Sequence, residues 1–349
     1  MPIAIDKYFN AAVTKKASDL HFIAGLPAYL RIDGTLKPIS GEAPLSGDKI
    51  KDLIYGILSD KQKVNIEKNR ELDMSYSLDG SRFRVNVSWG LENMSMAARV
   101  ISNDIPTLPS LGMPKIVYDL LKLKQGLILV TGPTGCGKST SLAGMIDLIN
   151  HERNEHIITL EDPIEFVYKP AKSIIHQRQL GSDMLTFPEG LKHILRQDPN
   201  VILVGEMRDL ETIASTITLA ETGHLVLATL HTLNAAQTVD RIIDVFPPYQ
   251  QPQVRLQLSL FLKGIISQFL MPKKTEGGRV AAREVLINTP AISNLIRENK
   301  VAQIRAVIQT SAEDGMFTMD QDIRRMYDEG IVSEEVATAH MVSPENLLR

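Results

Sequence analysis

Apolar residues recur at Ile5, Tyr8, Phe9, Ala12 and Val13, a three-and-four spacing that predicts a helix with one buried face. The stretch 45–69 repeats that spacing with Ile50, Leu53, Ile54, Ile57 and Leu58. Asp33-Gly34 and Asp79-Gly80 separate short apolar runs, a dipeptide signal for hairpins. The period then falls to two. In 81–88, SRFRVNVS, Phe83, Val85 and Val87 share one face, and Arg82, Arg84 and Asn86 share the other. A turn at 90–93 leads to a second predicted strand at 94–101, which carries Arg99. Residues 1–101 therefore read as a small α+β domain with an arginine-bearing sheet face exposed.

Residues 102–114, SNDIPTLPSLGMP, hold three prolines and one glycine and read as an interdomain linker. From 115 to 349 apolar runs alternate with helical segments. Strands are predicted at 127–131, 156–160, 201–204, 225–229 and 279–287, and helices at 139–150, 187–196, 209–221 and 235–245. Near-continuous apolar strands separated by helices imply a mostly parallel sheet covered on both faces. The run 252–270 alternates at Val254, Leu256, Leu258 and Leu260, yet its length and its early proline favour a helix. Beyond 291 the chain reads as a charged helical extension, about 290–349, without strand signals.

Composition narrows the class. The chain has 349 residues, 44% apolar and 23% charged, enough for two globular domains. A formal net charge of −3 and a pI near 6.3 offer no general attraction to nucleic acid or anionic lipid. Cys136 is the single cysteine, so neither an intrachain disulfide nor a cysteine-cluster zinc site can form, which fits a reducing cytoplasm. The N-terminal residues do not follow a signal-peptide pattern. No run of about 18 apolar residues is present, so membrane association is expected only through a partner.

The strongest chemical signal is 126–140, GLILVTGPTGCGKST. An apolar strand ends in Gly132-Pro133-Thr134-Gly135-Cys136-Gly137-Lys138-Ser139-Thr140, and a helical segment follows, the context that confirms a phosphate-binding Walker A loop. Gly132, Gly135 and Gly137 allow the backbone to curl its N–H groups inward toward phosphate oxygens. The helix N-terminus adds positive potential. Lys138 is placed to reach the β- and γ-phosphates, and the Ser139 hydroxyl to ligate Mg²⁺. The chain is expected to bind a nucleoside triphosphate.

Four further groups are candidates. In ITLEDPIE, 158–165, Glu161, Asp162 and Glu165 follow a strand, at the edge where open α/β sheets bind ligands; a solvated acidic turn is the alternative. In VILVGEMRD, 201–209, Glu206 ends an apolar strand in the Walker B manner. It could orient or deprotonate the attacking water, or hold Mg²⁺ through water, unless it is an incidental strand-end acid. His224 and His231 flank another strand. His231 could sense the γ-phosphate, whereas His224 reads better as a structural histidine. Among Arg82, Arg84, Arg99, Arg196 and Arg208, most are expected to be solvated. Arg84 and Arg99 stand out because neighbouring strands can pair them, and on another subunit's nucleotide they would act as arginine fingers.

Taken together, GPTGCGKST, ITLEDPIE, LRQDPNVILVGEMRD and GHLVLATLHT resemble the Walker A, Asp box, Walker B and His box of the type II/type IV secretion ATPases. SDLH (18–21), ELD (71–73), SRFR (81–84), FPPYQQPQVR (246–255) and NLIRE (294–298) are similar to segments of the family's pilus-retraction branch. The resemblance implies an α/β fold, with a PAS-like N-terminal domain joined to a RecA-like ATPase domain in a homohexamer. It implies a Mg²⁺-dependent ATPase that drives pilus disassembly through an inner-membrane platform protein, from the cytoplasmic face and without nucleic acid. An extension-type assembly ATPase and, more remotely, a nucleic-acid translocating ring are the alternatives. By resemblance Lys138 and Ser139 bind phosphate and Mg²⁺, Glu206 is the Walker B acid and Glu161 positions water. His231 belongs to the His box, and Arg84 and Arg99 are the interdomain arginines. Two positions depart from the pattern: Ser293 replaces an arginine of the retraction signature, and Cys136 replaces the loop's usual serine. The CxxC…CxxC zinc module of extension and secretion relatives cannot be built from one cysteine.

Overall fold

The computed structural model describes residues 3–32, 34–101, 104–275 and 277–347. Two compact units divide the chain: the residues up to 104 together with Glu165–Val167, and the remainder.

The first unit runs α1 (Asp6–Thr14), β1 (Asp19–Phe22), β2 (Tyr29–Ile32), β3 (Thr35–Pro38), α2 (Gly47–Tyr55), α3 (Asp60–Asn69), β4 (Glu71–Leu78), β5 (Ser81–Gly90) and β6 (Asn93–Ile101). Its six strands form one antiparallel sheet in the order β3-β2-β1-β6-β5-β4. The period-two reading of β5 holds, because Phe83, Val85 and Val87 are fully buried while Arg84 is exposed. Phe83 meets Phe9 of α1 with ring centroids 4.6 Å apart, so strand and helix share one core. Asp79 and Gly80, at φ 48° and 78°, make the two-residue turn joining β4 to β5. The other hairpin signal includes Asp33, which lies outside the described residues.

The second unit runs α4 (Lys115–Leu121), β7 (Gly126–Thr131), α5 (Lys138–Glu152), β8 (His156–Glu161), β9 (Ile174–Gln179), α6 (Phe187–Ile194), β10 (Val201–Val204), α7 (Leu210–Glu221), β11 (Leu225–Leu230), α8 (Ala235–Asp244), α9 (Gln251–Phe261), β12 (Leu262–Pro272) and β13 (Arg279–Ile287). Helices α10 (Pro290–Arg297), α11 (Ile304–Thr310), α12 (Met319–Asp328) and α13 (Glu334–His340) follow. The sheet order is β13-β12-β7-β11-β10-β8-β9. Among the described strand pairs of this sheet, only β12–β13 is antiparallel. Every residue of β7, β10 and β11 is buried, as expected of central parallel strands covered on both faces.

One prediction is corrected. The run 252–270 is not a single helix: it is helical only to Phe261, and β12 begins at Leu262. In α9 Val254 and Leu258, four apart, face the core while Leu256 and Leu260 are exposed. Past Phe261 the chain meets the open edge of β7, where ladder bonding wins over helix continuation, and Ile265 and Ile266 are both buried. The strand β9 also escaped the sequence reading, because IIHQRQ at the sheet edge is polar after its first two residues and carries little apolar signal. In the stretch read as a linker, Leu108 and Met113 are buried in the second unit. There Arg283 donates to the Leu111 and Gly112 carbonyls at 2.9 and 3.0 Å.

Candidate nucleotide site

The parallel strands place their carboxyl ends along one edge. Chain order is β7, β8, β10, β11, but spatial order is β7, β11, β10, β8. The loop after β7 is therefore followed across the edge by His231, Glu206 and Glu161, each just past or at the end of its strand.

Gly132, Gly135 and Gly137 all have positive φ. Gly132 is the tightest of them. At φ 142°, a Cβ there would lie 2.1 Å from the Gln268 carbonyl oxygen, so no other residue fits. On the same sheet α6, α7 and α8 begin with Thr186, Asp209 and Asn234 accepting a backbone N–H. Helix α5 instead begins on Gly137 with no side-chain cap, so its first N–H groups remain available to an anion. Lys138 folds over the loop, donating to the Gly132 and Pro133 carbonyls at 2.6 and 3.1 Å. Ser139 and Thr140 lie in the first turn of α5, half-buried. Pro133 and Thr134 are exposed at the rim, and Cys136 is buried, its thiol pushed up by that burial.

Glu206 is gripped from two sides. Its Oε2 accepts from Arg208 at 2.8 Å, and its Oε1 lies 2.9 Å from His231 Nε2. Burial alone would raise its carboxyl, but the Arg208 hydrogen bond and the charges of His231 and Arg208 outweigh burial and hold it below the ordinary range. A carboxylate held down in this way is a poor proton acceptor and a good fixed charge. The strand-end backbone is ordered as well: Thr229 Oγ1 donates to the Gly205 carbonyl at 2.5 Å, and Gly205 N donates to the Leu160 carbonyl at 2.7 Å. Glu161 is buried, its Oε1 accepting from Thr159 at 2.7 Å and Gln177 at 3.2 Å.

The structure joins Glu206, His231 and Arg208 directly, and it sets His224 apart. That ring lies before β11, its Nδ1 3.0 Å from the Leu219 carbonyl, so it is structural. In the first unit the register pairs Arg84 with Arg99 across β5 and β6, which puts both cations on the exposed face. Arg99 Nε donates to Asp19 at 2.9 Å. Sequence reasoning missed Gln268, because a glutamine in an apolar run taken for helix gives no sign of its place. It also missed a cleft of about 1010 Å³ beside the loop, lined by Thr134, Asn234, Gln268, Arg279 and Glu284 among others.

For Mg²⁺ the donor set is sparse. Among the described residues no group of three or more His, Cys, Asp or Glu could hold a metal. Mg²⁺ keeps several waters and leans on substrate phosphates with one or two protein oxygens, so a site for it does not need such a group. Ser139 offers one such oxygen, and Glu206, whose oxygens each keep a second lone pair beside the Arg208 and His231 contacts, can reach the ion through water.

A loop of this shape at the carboxyl edge of a parallel sheet, with strand-end acids beside it, defines a P-loop ATPase-type domain of the α/β class. The chain belongs to the type II/IV secretion system protein family, whose model matches residues 1–339. It is 47% identical over 331 residues, 95% of this chain and 96% of the relative, to the type IV pilus retraction ATPase PilT of Pseudomonas aeruginosa. A twitching motility protein of Neisseria gonorrhoeae is 43% identical over 326 residues, covering 93% of this chain and 87% of that one. Among solved structures, that of the pilus retraction motor PilT with bound ADP matches the whole of both chains with a TM-score of 0.92 at 45% identity.

Proposed function

We propose that this chain is an ATP-hydrolysing motor that powers type IV pilus retraction. The observation that carries the reading is the convergence of the Lys138 loop, Glu206, His231 and Glu161 on one sheet edge, in a chain similar along its length to retraction ATPases. The loop glycines and the start of α5 bind the phosphates, and Lys138 leaves its loop carbonyls to meet the β- and γ-oxygens. Ser139 would hold Mg²⁺ together with the phosphates, and the ion would supply charge neutralisation on the transferring phosphoryl group. Glu161 positions water, Glu206 supplies a fixed negative charge, and His231, bonded to Glu206, reports the γ-phosphate to the strand ends.

The working form is a homohexamer in which Arg84 and Arg99 of one subunit serve the nucleotide of the next, supported by their pairing on an exposed face. Residues 1–101 form the PAS-like domain, 102–114 the linker and 115–349 the motor domain. Closure of one domain on the other around ATP is the power step, since only differential affinity for the two states can move them. Among the described residues no helix is long and apolar enough to cross a membrane. In this reading the motor acts at the cytoplasmic face of the inner membrane through a platform protein. Deleting the gene tests the direction of work: cells with more surface pili and no twitching support retraction, and bare cells overturn it. Purified protein should release phosphate from ATP, and EDTA should stop it.

A further inference from the structure

Strand β12 does more than extend the sheet. It pairs with β7 as far as Ser267 opposite Thr131, and the two hydroxyls lie 2.8 Å apart in the core. The next residue, Gln268, runs beyond the end of β7 and beneath the phosphate loop. Its side chain is only 1% exposed, and both ends of its amide are used. Nε2 donates to the Cys136 carbonyl at 2.9 Å, and Oε1 accepts from Ser141 Oγ of α5 at 2.9 Å. The orientation is unambiguous, since a backbone carbonyl can only accept and must face the NH₂. The Gln268 main-chain oxygen also fills the space that a Cβ on Gly132 would need.

We infer that Gln268 is a positioning residue that shapes the phosphate loop for nucleotide from behind. The reason is the geometry of one peptide unit. In a trans peptide the C=O and the following N–H point in opposite directions. Tying the Cys136 carbonyl back to Gln268 therefore turns the Gly137 N–H to the opposite side, away from β12. Ser141 holds the amide in register with α5, so loop and helix N-terminus present their N–H groups as one preformed surface. Without this tie the loop must be ordered by the nucleotide itself, at the expense of affinity. The inference rests on the nucleotide-binding reading of the loop.

The test is ADP titration, using a fluorescent ribose-tagged ADP, and steady-state ATPase rates on the full-length protein and two variants from roughly pH 6 to pH 9. Gln268→Leu strands two buried polar groups and should weaken ADP, and raise KM, about tenfold or more at every pH, with a smaller change in kcat. Gln268→Glu is the discriminating variant. Protonated, its carboxyl reproduces both bonds, O–H to the Cys136 carbonyl and C=O from Ser141. Ionised, it faces that carbonyl with a second acceptor and pushes the loop away. Burial raises such a carboxyl toward neutrality, so ADP affinity should approach that of the unmodified protein at the acid end and fall as pH rises. Titration of the surrounding groups, Cys136 and Lys138 in the loop and Arg279, Glu284 and His340 in the cleft, is common to both variants. Unchanged affinity in both variants, or equal loss at all pH values, overturns the positioning role while leaving nucleotide binding intact. Failure of the unmodified protein to bind ADP overturns both readings. Should neither Gln268 variant fold, Ser141→Ala carries the test: weaker ADP binding supports the inference and unchanged binding overturns it.

Discussion

Replacing Glu206 by glutamine separates binding from chemistry. The carboxylate accepts from Arg208 and His231 at once, one on each oxygen. A glutamine keeps one acceptor oxygen, so it can satisfy one donor and must turn its NH₂ toward the other. Losing a charge-assisted bond costs about 1.5–3 kcal/mol where the pair is buried. Here Arg208 is 67% exposed, and solvent screening brings the loss to about 1 kcal/mol, a fall of about 2–4 °C in melting temperature for a domain of this size. The effect on turnover is larger. Removing a fixed charge or an orienting group beside the γ-phosphate should lower kcat on the order of a hundredfold, roughly 3 kcal/mol of barrier. Among the described residues no hydrogen bond or ion pair joins Arg208 or His231 to the phosphate loop, so ADP affinity should stay within about threefold. The pH profile carries the same logic. Glu206 is held below its ordinary value, so its contribution to stability is present above the unfolded carboxylate range and is lost only as pH falls through the depressed value. Between about pH 6 and 8, kcat should therefore show no titration from this group. Phosphate release at saturating ATP, ADP titration and a thermal melt measure the three quantities. An ADP affinity that falls in parallel with kcat would refute the assignment, because Glu206 would then be organising the loop rather than serving hydrolysis.

Arg84→Ala, on an exposed strand face, should lower the ATPase rate several-fold with little change in melting temperature or ADP affinity. Mixing it with Lys138→Ala should restore some activity, and the absence of any recovery would rule out a finger acting between subunits. Cys136 is buried and its thiol is raised, so at pH 8 the single cysteine should alkylate more slowly than a free thiol and catch up as pH rises or the protein unfolds; equal rates in folded and denatured protein would contradict this. Ser293 donates to the Ser259 carbonyl at 2.7 Å, a carbonyl that Asn288 also reaches at 3.0 Å. Ser293→Arg should therefore cost no more than about 1 kcal/mol in a thermal melt. Arg297 bonds only to Asn294 on its own helix among the contacts seen, so Arg297→Ala should keep melting temperature and ATPase rate while twitching is lost; unimpaired twitching would remove this helix from the retraction step.

Much of this protein was legible in its residues. The strand–loop–helix around Lys138 is a local device, so glycine spacing, the preceding apolar run and the lysine identify it without tertiary context. The same holds for β5, where a period of two sorts Phe83 from Arg84, and for the apolar strands β7, β10 and β11, whose continuous burial follows from lying mid-sheet. What the sequence could not express is adjacency across the sheet. Glu206 and His231 are 25 positions apart in sequence, yet they touch at 2.9 Å because β11 lies between β7 and β10. A grip that lowers the acid and makes it a fixed charge follows from that strand order. Helix α9 and strand β12 are equally apolar in sequence, and only the open edge of β7 decides where one becomes the other. Gln268 depends on that decision. On a continuing helix it would carry no information, but on a strand reaching past Thr131 it stands under the phosphate loop, where both ends of its amide find partners. Local chemistry was written in the order of residues, and the contacts that tune it came from strands brought together by the fold.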